Sequence, residues 1–418
     1  MTSLSPILKQ ATPVVVEDAL GSWIRGTDGR RYLDFTTGIG VTSTGHCHPA
    51  VVAAAREQAG KIIHAQYTTV MHQPLLQLTE KLGEVLPPAL DSVFYANSGS
   101  EAVEASLRLA RMATGRPNVV AFQGGFHGRT VAAASLTSAG TKFRSGFAPL
   151  MAGVHLSAFP YAFRYGWDED TAVDFALGEL DHLLQSVTSP EDTAAFIIEP
   201  VLGDGGYLPT PPRFLEGLRE RATRHGILLI IDEVQAGVGR TGKFWGHQHS
   251  AAEPDILITA KGLASGFPIS AIAAPAELMA KAWPGSQGGT YGGNAVAAAA
   301  AVATLTVVQE EGLVENARVR GEELRTGLEE LRKDHPEIGD VRGLGLMQGL
   351  EFTTADGRPD AARAAAVQQR AVDHDLLLLT CGTRNNVVRI VPALVVTAEE
   401  ITTGLNALRA ALDDAAEH

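Results

Sequence analysis

The sequence predicts an α/β protein built around a mostly parallel sheet, and three features of the 418-residue chain support this prediction. Between about residues 50 and 310, short β-rich runs alternate with helical stretches. The runs are almost continuously apolar, as strands buried on both faces of a sheet must be. Past residue 310, a charged amphipathic helix, short strands and a final helix follow, which is typical of a smaller α+β unit.

The individual elements can be predicted in chain order. Turn residues from Gly26 and a short apolar alternation ending at Phe35 predict a hairpin near the N-terminus. A helical pattern begins at Ala50, directly after a His-Pro pair. The apolar runs of the middle region predict strands at residues 92–96, 119–122, 195–198, 227–231 and 256–259. In the C-terminal part we expect a helix over residues 313–333, strands near 343–347 and 387–391, and a last helix from Ala398.

We expect three segments along the chain. Residues 1–55 would pack with the smaller domain, residues 56–310 would form the large α/β domain, and residues 311–418 would form the small α+β domain. A hydrophobic content of 45% and a charged content of 19% are those of a globular protein and exclude a disordered chain.

The charge and the cysteine content indicate which classes of partner and which cellular compartment to expect. The chain has 34 Lys and Arg against 47 Asp and Glu, a formal net charge of −13, so we expect neither a nucleic-acid nor a membrane partner. The first twenty residues contain no apolar signal segment, and the alanine-rich run at residues 295–308 predicts a buried helix too short to span a bilayer.

Cys47 and Cys381 lie in unrelated contexts, so we expect no disulfide and a cytoplasmic protein. His46 and His48 have no further Cys or His cluster nearby, so we expect no metal site.

The first chemical motif follows a predicted strand and opens a helix. It reads Asn97-Ser98-Gly99-Ser100-Glu101. Glycine lets a ligand approach the backbone closely, and free amides at a helix N-terminus bind anions, so the motif fits a phosphate site. The alternative is an ordinary helix cap with Glu101 in the first turn, which needs no ligand. Taken alone, the motif favours the cap.

Two further motifs end apolar strands. Asp232 and Glu233 follow the strand at residues 227–231. Ligands of open α/β sheets bind outside the carboxyl ends of the strands, so a catalytic acid is expected at this position. The alternative is an exposed pair that opens a loop, and the sequence leaves both open. Lys261 comes just after the strand at residues 256–259 among small residues. Poor solvation there would lower its pKa and leave a nucleophilic amine, whereas most single lysines reach the surface.

A glycine-rich segment at residues 124–130 carries an aromatic ring, an imidazole and a guanidinium. Phe126 is suited to stacking on a planar ligand, and Arg129 to binding a carboxylate through two hydrogen bonds. For His127, the sequence favours a hydrogen-bonded structural role over a catalytic one. The glycine loops at residues 199–206 and 289–294 and Arg389 have no specific meaning alone.

Together, these motifs are the parts that pyridoxal phosphate requires. From Gly26 to the C-terminal helix, the chain resembles the class III aminotransferases of fold type I, the group of 4-aminobutyrate, acetylornithine and ornithine aminotransferases. The resemblance rests on the Asp-Glu-Val-Gln motif that begins at Asp232, on Lys261, which follows Asp232 by 29 residues, and on the motifs at residues 98–102 and 289–294.

The resemblance implies a set of cofactor contacts. The implied cofactor-binding residues are Ser98, Gly99, Ser100, Phe126, His127, Asp232, Gln235, Lys261 and Thr290. Lys261 would form the Schiff base and then shuttle a proton, and Asp232 would keep the pyridine nitrogen protonated. Phe126 would stack on the ring and Gln235 would lie near its 3′ oxygen. In the family, Thr290 reaches the phosphate of the neighbouring subunit, which implies a homodimer or a dimer of dimers.

The resemblance also implies the substrate contacts and the reaction. Arg389 would bind the α-carboxylate of glutamate or 2-oxoglutarate, and Ile39 and Arg129 would line the substrate end of the pocket. We therefore expect transfer of an amino group from an ω-amino acid of the 4-aminobutyrate type to 2-oxoglutarate. An enzyme of the acetylornithine or ornithine type is the first alternative.

One position departs from the family pattern. Where many members that use 2-oxoglutarate have a glutamate that pairs with the carboxylate-binding arginine and swings aside, this chain has Asp204. Aspartate is one methylene shorter, which leaves open whether it reaches Arg389. The same variant resembles amino-acid racemases and epimerases on this fold, and these are the second alternative.

Overall fold

The computed structural model describes residues 4–416, and its regular elements are numbered here in chain order. The strands are β1 (Val16–Leu20), β2 (Trp23–Gly26), β3 (Arg31–Asp34), β4 (Ser92–Ala96), β5 (Asn118–Phe122), β6 (Val154–Ser157), β7 (Thr193–Ile198), β8 (Val201–Leu202), β9 (Leu208–Pro209), β10 (Leu228–Asp232), β11 (Ile256–Thr259), β12 (Ser270–Ala274), β13 (Ile338–Leu344), β14 (Met347–Phe352), β15 (Leu376–Leu377), β16 (Leu379–Cys381) and β17 (Val387–Ile390).

The helices are α1 (Thr37–Gly40), α2 (Pro49–Ala59), α3 (Gln73–Gly83), α4 (Gly99–Thr114), α5 (Val131–Leu136), α6 (Ala162–Tyr165), α7 (Glu169–Ser186), α8 (Pro212–His225), α9 (Ala276–Met279), α10 (Ala295–Glu310), α11 (Leu313–Asp334), α12 (Ala361–Asp373) and α13 (Ala398–Ala416). Short 3₁₀ turns occur at Thr141–Phe143, Pro190–Asp192, Gly246–His249 and Lys261–Ala264.

The large sheet has seven strands in the order β4-β12-β11-β10-β7-β5-β6. All of its strands run parallel except β12, which is antiparallel to both β11 and β4. Every residue of β7 and β11 is buried, as their continuous apolar sequences require. The prediction of a mostly parallel α/β sheet is therefore confirmed. Because the carboxyl ends of the parallel strands lie at one edge, the residues that follow them converge.

The N-terminal strands share a four-stranded sheet with a strand from the C-terminal part, in the order β1-β2-β3-β15. The predicted hairpin is formed by β2 and β3, and Leu33 on β3 pairs with Leu376 on β15. The expected boundary between residues 55 and 56 falls inside α2, whereas the boundary at residue 310 coincides with the end of α10. The division into three segments itself stays a prediction.

A second four-stranded sheet forms near the C-terminus, in the order β13-β14-β17-β16. The run predicted as a strand near residues 343–347 instead contains the turn between β13 and β14. Gly345 makes that turn possible, because its φ is +52° and a Cβ there would lie 2.5 Å from the Thr241 backbone. Apolar patterning reports burial, and Leu346 in this turn is fully buried.

The alanine-rich run at residues 295–308 forms the buried helix α10. Asn294 caps its N-terminus by accepting hydrogen bonds from the amides of Val296 and Ala297 at 3.0 and 3.1 Å. No single helix in residues 4–416 is long and apolar enough to cross a membrane, and α10 and α11 pass that test only as a pair bent by 63°.

Candidate active site

A cavity of about 310 Å³ opens at the carboxyl edge of the large sheet. Residues that follow β4, β5, β7, β10 and β11 line it, so five strand ends contribute to one site. The structure brings eight of the predicted residues together there, namely Ser98, Gly99, Ser100, Phe126, His127, Asp232, Gln235 and Lys261. These residues are separated by up to about 160 positions along the chain. They lie close together because the strands that precede them are neighbours in the sheet.

The N-terminus of α4 forms one end of the cavity, and its geometry is compatible with both explanations of the motif. Ser98 Oγ accepts a hydrogen bond from the Glu101 amide, and the Glu101 carboxylate accepts bonds from the amides of Asn97 and Ser98. The side chains therefore cap the helix. The Gly99 and Ser100 amides have no protein acceptor within the described residues, so they are available to an anion such as a phosphate.

Lys261 lies on the cavity wall just after β11. Its φ of +43° is in the left-handed region that residues with a side chain rarely adopt, and such strain concentrates at functional sites. Burial lowers the pKa of Lys261, and the carboxylates of Asp204, Glu199 and Asp232 only partly oppose this effect. The amine is therefore neutral for a larger fraction of the time than an exposed lysine.

Asp232 faces the cavity, whereas its neighbour Glu233 does not. Asp232 Oδ2 lies 2.9 Å from His127 Nδ1, and both side chains are almost completely buried. Glu233 instead accepts hydrogen bonds from the amides of Gly246 and His247 and from the His247 ring. One acid of the pair is thus presented to a ligand, and the other anchors a loop.

Gln235 and Phe126 complete the walls of the cavity. Gln235 Oε1 is buried and has no hydrogen-bond partner among the described residues. The Phe126 ring meets Phe143 edge to face, with centroids 5.0 Å apart. A free pair of amides, an amine of lowered pKa, a buried carboxylate and an unsatisfied amide oxygen together fit the phosphate, aldehyde and ring of pyridoxal phosphate.

Glu199 also lines the cavity, although it is not among the site residues predicted from the sequence. Its Oε1 accepts a hydrogen bond from the Phe126 amide at 2.7 Å, and its Oε2 accepts one from the Gly203 amide at 3.0 Å. The pKa of Glu199 is raised to about 7, chiefly by burial, while the neighbouring His127 acts to lower this pKa and Asp232 acts to raise it. A signal existed, because Glu199 follows the apolar strand β7 as Asp232 ends β10. Residues 266–269 line the cavity too, but nothing chemical marks them in the sequence.

Three predicted residues lie outside this cavity. Ile39 is 44% exposed, in a turn where its φ is +73°. The exposed guanidinium of Arg129 lies 4.7 Å from the centre of the Phe143 ring and 5.9 Å from that of Phe126. Thr290 is exposed in its glycine-rich loop. A single chain therefore does not bring these side chains to the cavity that holds Lys261.

Asp204 and Arg389 also lie outside the cavity lining, and they contact each other. Asp204 Oδ1 accepts a hydrogen bond from Arg389 Nη1 at 3.1 Å. Arg389 is only 6% exposed. Burial acts to lower its pKa, but Asp204, Tyr207 and Cys381 together outweigh this effect, and the pKa of Arg389 is raised. The aspartate therefore reaches the arginine directly, which the sequence had left open.

The His pair near the N-terminus is held by carboxylates. His46 Nε2 lies 2.8 Å from Asp34 Oδ2, and His48 Nε2 lies 3.2 Å from Glu311. Within residues 4–416, no group of three or more His, Cys, Asp or Glu side chains is placed to hold a metal ion.

Comparison with known proteins relates nearly the whole chain to one family. The family model described as "Aminotransferase class-III" matches residues 6–412. The 5-aminovalerate aminotransferase of Pseudomonas putida is 40% identical over 393 residues, which cover 94% of this chain and 91% of that protein. The 4-aminobutyrate aminotransferase of Escherichia coli is 38% identical over 97% of this chain and 95% of that protein.

Two further similar proteins are relevant, one to the choice between transamination and racemisation and the other to the fold. An alanine/serine racemase of Pyrococcus horikoshii is 36% identical over 96% of this chain and 86% of that protein. The crystal structure of the omega transaminase from Pseudomonas jessenii in complex with PMP matches with a TM-score of 0.91 and 29% identity, covering 97% of this chain and 93% of that one.

Proposed function

Because the chain belongs to the class III aminotransferase family, we propose that it moves the amino group of an ω-amino acid of the 4-aminobutyrate or 5-aminovalerate type to 2-oxoglutarate. The family is pyridoxal-phosphate-dependent, and the cavity beside Lys261 fits that cofactor. The contact between Asp204 and Arg389 is the observation that supports this choice of substrates. An arginine with a releasable partner suits an enzyme that must accept substrates with and without an α-carboxylate.

The residues of the cavity would hold the cofactor at four points. The amides of Gly99 and Ser100 would bind its phosphate, and Phe126 would pack on its ring. Asp232 would pair with the pyridine nitrogen, since a buried carboxylate favours a nearby positive charge. When bound, pyridoxal phosphate supplies an aldehyde that takes up the amino group and a ring that withdraws electrons from the reacting carbon. Lys261 would attach it covalently.

Lys261 would also move the proton. In its neutral form, Nζ of Lys261 would take the proton from the substrate carbon that carries the nitrogen and would deliver it to the carbon on the cofactor side of that nitrogen. The lowered pKa supports this role, because a general base works best when its pKa lies near the working pH. His127 would keep Asp232 in place through the 2.9 Å contact between them.

Asp204 and Arg389 would alternate between two arrangements. When an ω-amino acid binds, its reacting carbon carries no carboxylate, and Asp204 neutralises the buried Arg389. When 2-oxoglutarate binds, its α-carboxylate takes the guanidinium and Asp204 turns away. Arg129, whose guanidinium lies 5.9 Å from the centre of the Phe126 ring, would bind the distal carboxylate, and Ile39 would line the substrate end of the pocket.

We infer that the active unit is a homodimer, or a dimer of dimers, in the cytoplasm. Thr290 lies in an exposed loop, away from the cavity of its own chain, which supports a role in the site of a neighbour. Tyr291, beside it, and Trp283 are 65% and 63% exposed. Large apolar side chains exposed next to a functional loop support a protein contact there.

The proposal is tested with purified holoenzyme and a panel of amino donors against 2-oxoglutarate and pyruvate. We expect L-glutamate to form from 2-oxoglutarate with 4-aminobutyrate or 5-aminovalerate as donor, faster than with acetylornithine or ornithine. Faster turnover of acetylornithine or ornithine would move the assignment to that alternative.

Racemisation is the second candidate, and the racemase relative from Pyrococcus horikoshii supports testing it. It requires the proton to return to the same carbon and consumes no keto acid. A single L-amino acid is incubated with the enzyme alone and analysed by chiral chromatography. Rapid appearance of the D-isomer or an epimer, with negligible transfer from 4-aminobutyrate, would assign the racemase function instead.

A further inference from the structure

Two guanidiniums rise from one face of the C-terminal sheet with no side chain between them. Arg342 on β13 is paired with Gly349 on β14, and Gly349 is paired with Arg389 on β17. Residues directly opposite each other on adjacent strands point to the same face. A Cβ atom at Gly349 would lie 3.1 Å from the Cβ of Tyr207 and 3.5 Å from the carbonyl oxygen of Gly206. The loop at residues 203–207 therefore lies on this gap.

Each guanidinium holds one point of that loop. Arg342 Nε donates to the Gly206 carbonyl at 2.9 Å, and Arg389 Nη1 donates to the Asp204 carboxylate at 3.1 Å. The Asp204 carbonyl also accepts a hydrogen bond from the Gly382 amide at 2.9 Å. The backbone is therefore held at Asp204 and beyond it, and the Asp204 side chain is the part that can turn.

Arg342 is itself fixed by two acids, of which Glu351 is buried and Asp340 half-buried. Its Nη1 donates to Asp340 at 2.9 Å and to Glu351 at 2.5 Å. Glu351 also accepts hydrogen bonds from the hydroxyl of Tyr161 and from the Asn386 amide. Arg342 is 7% exposed and does not line the cavity that holds Lys261. Its position is thus determined by this network, and its Nε is the atom that donates a hydrogen bond to the loop.

We propose that Arg342 is a positioning residue that holds Gly206 so that the short side chain of Asp204 reaches Arg389, and that it thereby sets the balance between substrates with and without an α-carboxylate. The inference rests on the proposed function. An aspartate has one side-chain torsion fewer than a glutamate, so its reach depends on where the backbone lies. A backbone shift of about 1.5 Å, one bond length, removes as much reach as one methylene supplies.

The test compares Arg342→Lys with Arg325→Lys in the holoenzyme. Lysine keeps the charge beside Glu351 but cannot donate from the Nε position. Arg325 is the control, because its exposed side chain donates to the carbonyl of Gly343, which lies on the same strand as Arg342, and does not touch the loop. The two half-reactions are measured separately, with 4-aminobutyrate or 5-aminovalerate as one substrate and L-glutamate as the other.

We expect Arg342→Lys to lower kcat/KM for the ω-amino donor relative to L-glutamate by about tenfold, the usual effect of losing one charge-assisted hydrogen bond. The reason is that Arg389 without its partner disfavours a substrate that lacks an α-carboxylate. The ratio should not change in Arg325→Lys. Equal losses in both half-reactions, or no loss, would overturn the proposal. Should Arg342→Lys fail to fold, Asp340→Asn loosens the same guanidinium and is judged by the same ratio.

Calorimetry separates this inference from the proposed function. Glutarate carries two carboxylates and no reacting group, and we expect it to bind Arg342→Lys more tightly than the wild type, because Asp204 competes less for Arg389. Unchanged or weaker binding contradicts the inference. A wild-type enzyme that uses L-glutamate but no ω-amino donor contradicts the proposed function alone, and the glutarate measurement still decides the role of Arg342.

Discussion

Asp204 Oδ1 lies 3.1 Å from Arg389 Nη1, a direct contact between residues 185 positions apart in the sequence. The carboxylate is on a side chain one methylene shorter than the glutamate that many relatives have, yet the loop lies close enough for it to reach. The pair is largely buried, so separating it without a substitute anion exposes an uncompensated guanidinium. A substrate carboxylate is the substitute that an aminotransferase provides.

The first prediction concerns this pair. Asp204→Asn should lower kcat/KM for 4-aminobutyrate by about ten- to a hundredfold, because a buried charge loses its partner. L-Glutamate, which brings its own carboxylate to Arg389, should be affected much less. Asp204→Glu is the matched control and should retain both half-reactions. Parallel losses for both substrates in the asparagine variant would count against the switching role.

The second prediction concerns Lys261. Lys261→Ala should remove the protein–cofactor bond that borohydride makes permanent, and turnover should fall by about three orders of magnitude or more, because nucleophile and base are lost together. Mass spectrometry of the reduced protein locates the bond. The exposed Lys281→Ala is the control and should behave as the wild type. A reducible bond that survives in Lys261→Ala would identify another lysine as the anchor.

The third prediction separates the two acids of one motif. Asp232→Asn keeps the size of the side chain but removes the charge, and turnover should fall by on the order of 10²–10³ while the protein stays folded. Glu233→Gln is the matched control, because Glu233 anchors the loop at Gly246 and His247. It should lower the melting temperature and leave turnover per bound cofactor nearly unchanged. Near-normal turnover of Asp232→Asn would exclude the electrostatic role.

The fourth prediction follows from Glu199, whose pKa burial raises from 4.5 to about 7. Between these values the folded protein binds more protons than the unfolded chain, so stability falls as the pH rises from about 4.5 to about 7. Melting curves of cofactor-free wild type should show this loss, and Glu199→Gln should reduce it, because glutamine does not titrate.

Activity should change in the opposite direction over the same range. Ionised Glu199 can accept both the Phe126 and the Gly203 hydrogen bonds, whereas the protonated acid accepts them less well. We therefore expect log kcat/KM of the wild type to decline below about pH 7 and this inflection to be absent in Glu199→Gln. Identical pH profiles for the two enzymes would show that Glu199 does not titrate in the site.

The fifth prediction concerns Thr290 and the dimer. Thr290→Ala should weaken cofactor binding by about 1.5–3 kcal/mol, the value of one charge-assisted hydrogen bond, or roughly ten- to a hundredfold in Kd. Fluorescence titration of the apoenzyme measures this value. Thr326→Ala, an exposed threonine on α11, is the control. A monomer with full activity in sedimentation at assay concentration would contradict the shared site.

The elements of the large domain were predictable because burial leaves a local pattern. The apolar runs at β7, β10 and β11 indicate strands covered on both faces, and the helix N-terminus at Gly99 is marked by its cap. Lys261 was predictable because it directly follows such a strand. The turn at Gly345 was not, since a buried turn and a buried strand carry the same apolar composition.

The sequence by itself determined the fold class, the family and the residues that follow the strands of the large sheet, because each leaves a signal within a few neighbouring positions. The tertiary structure alone decided that Asp204 reaches Arg389 and that Arg342 donates to the loop that carries Asp204. These contacts join residues more than one hundred positions apart or depend on a reach of about 1.5 Å. A local sequence pattern contains no information about the distance between two such residues. That distance follows from the order and pairing of the strands in the folded protein.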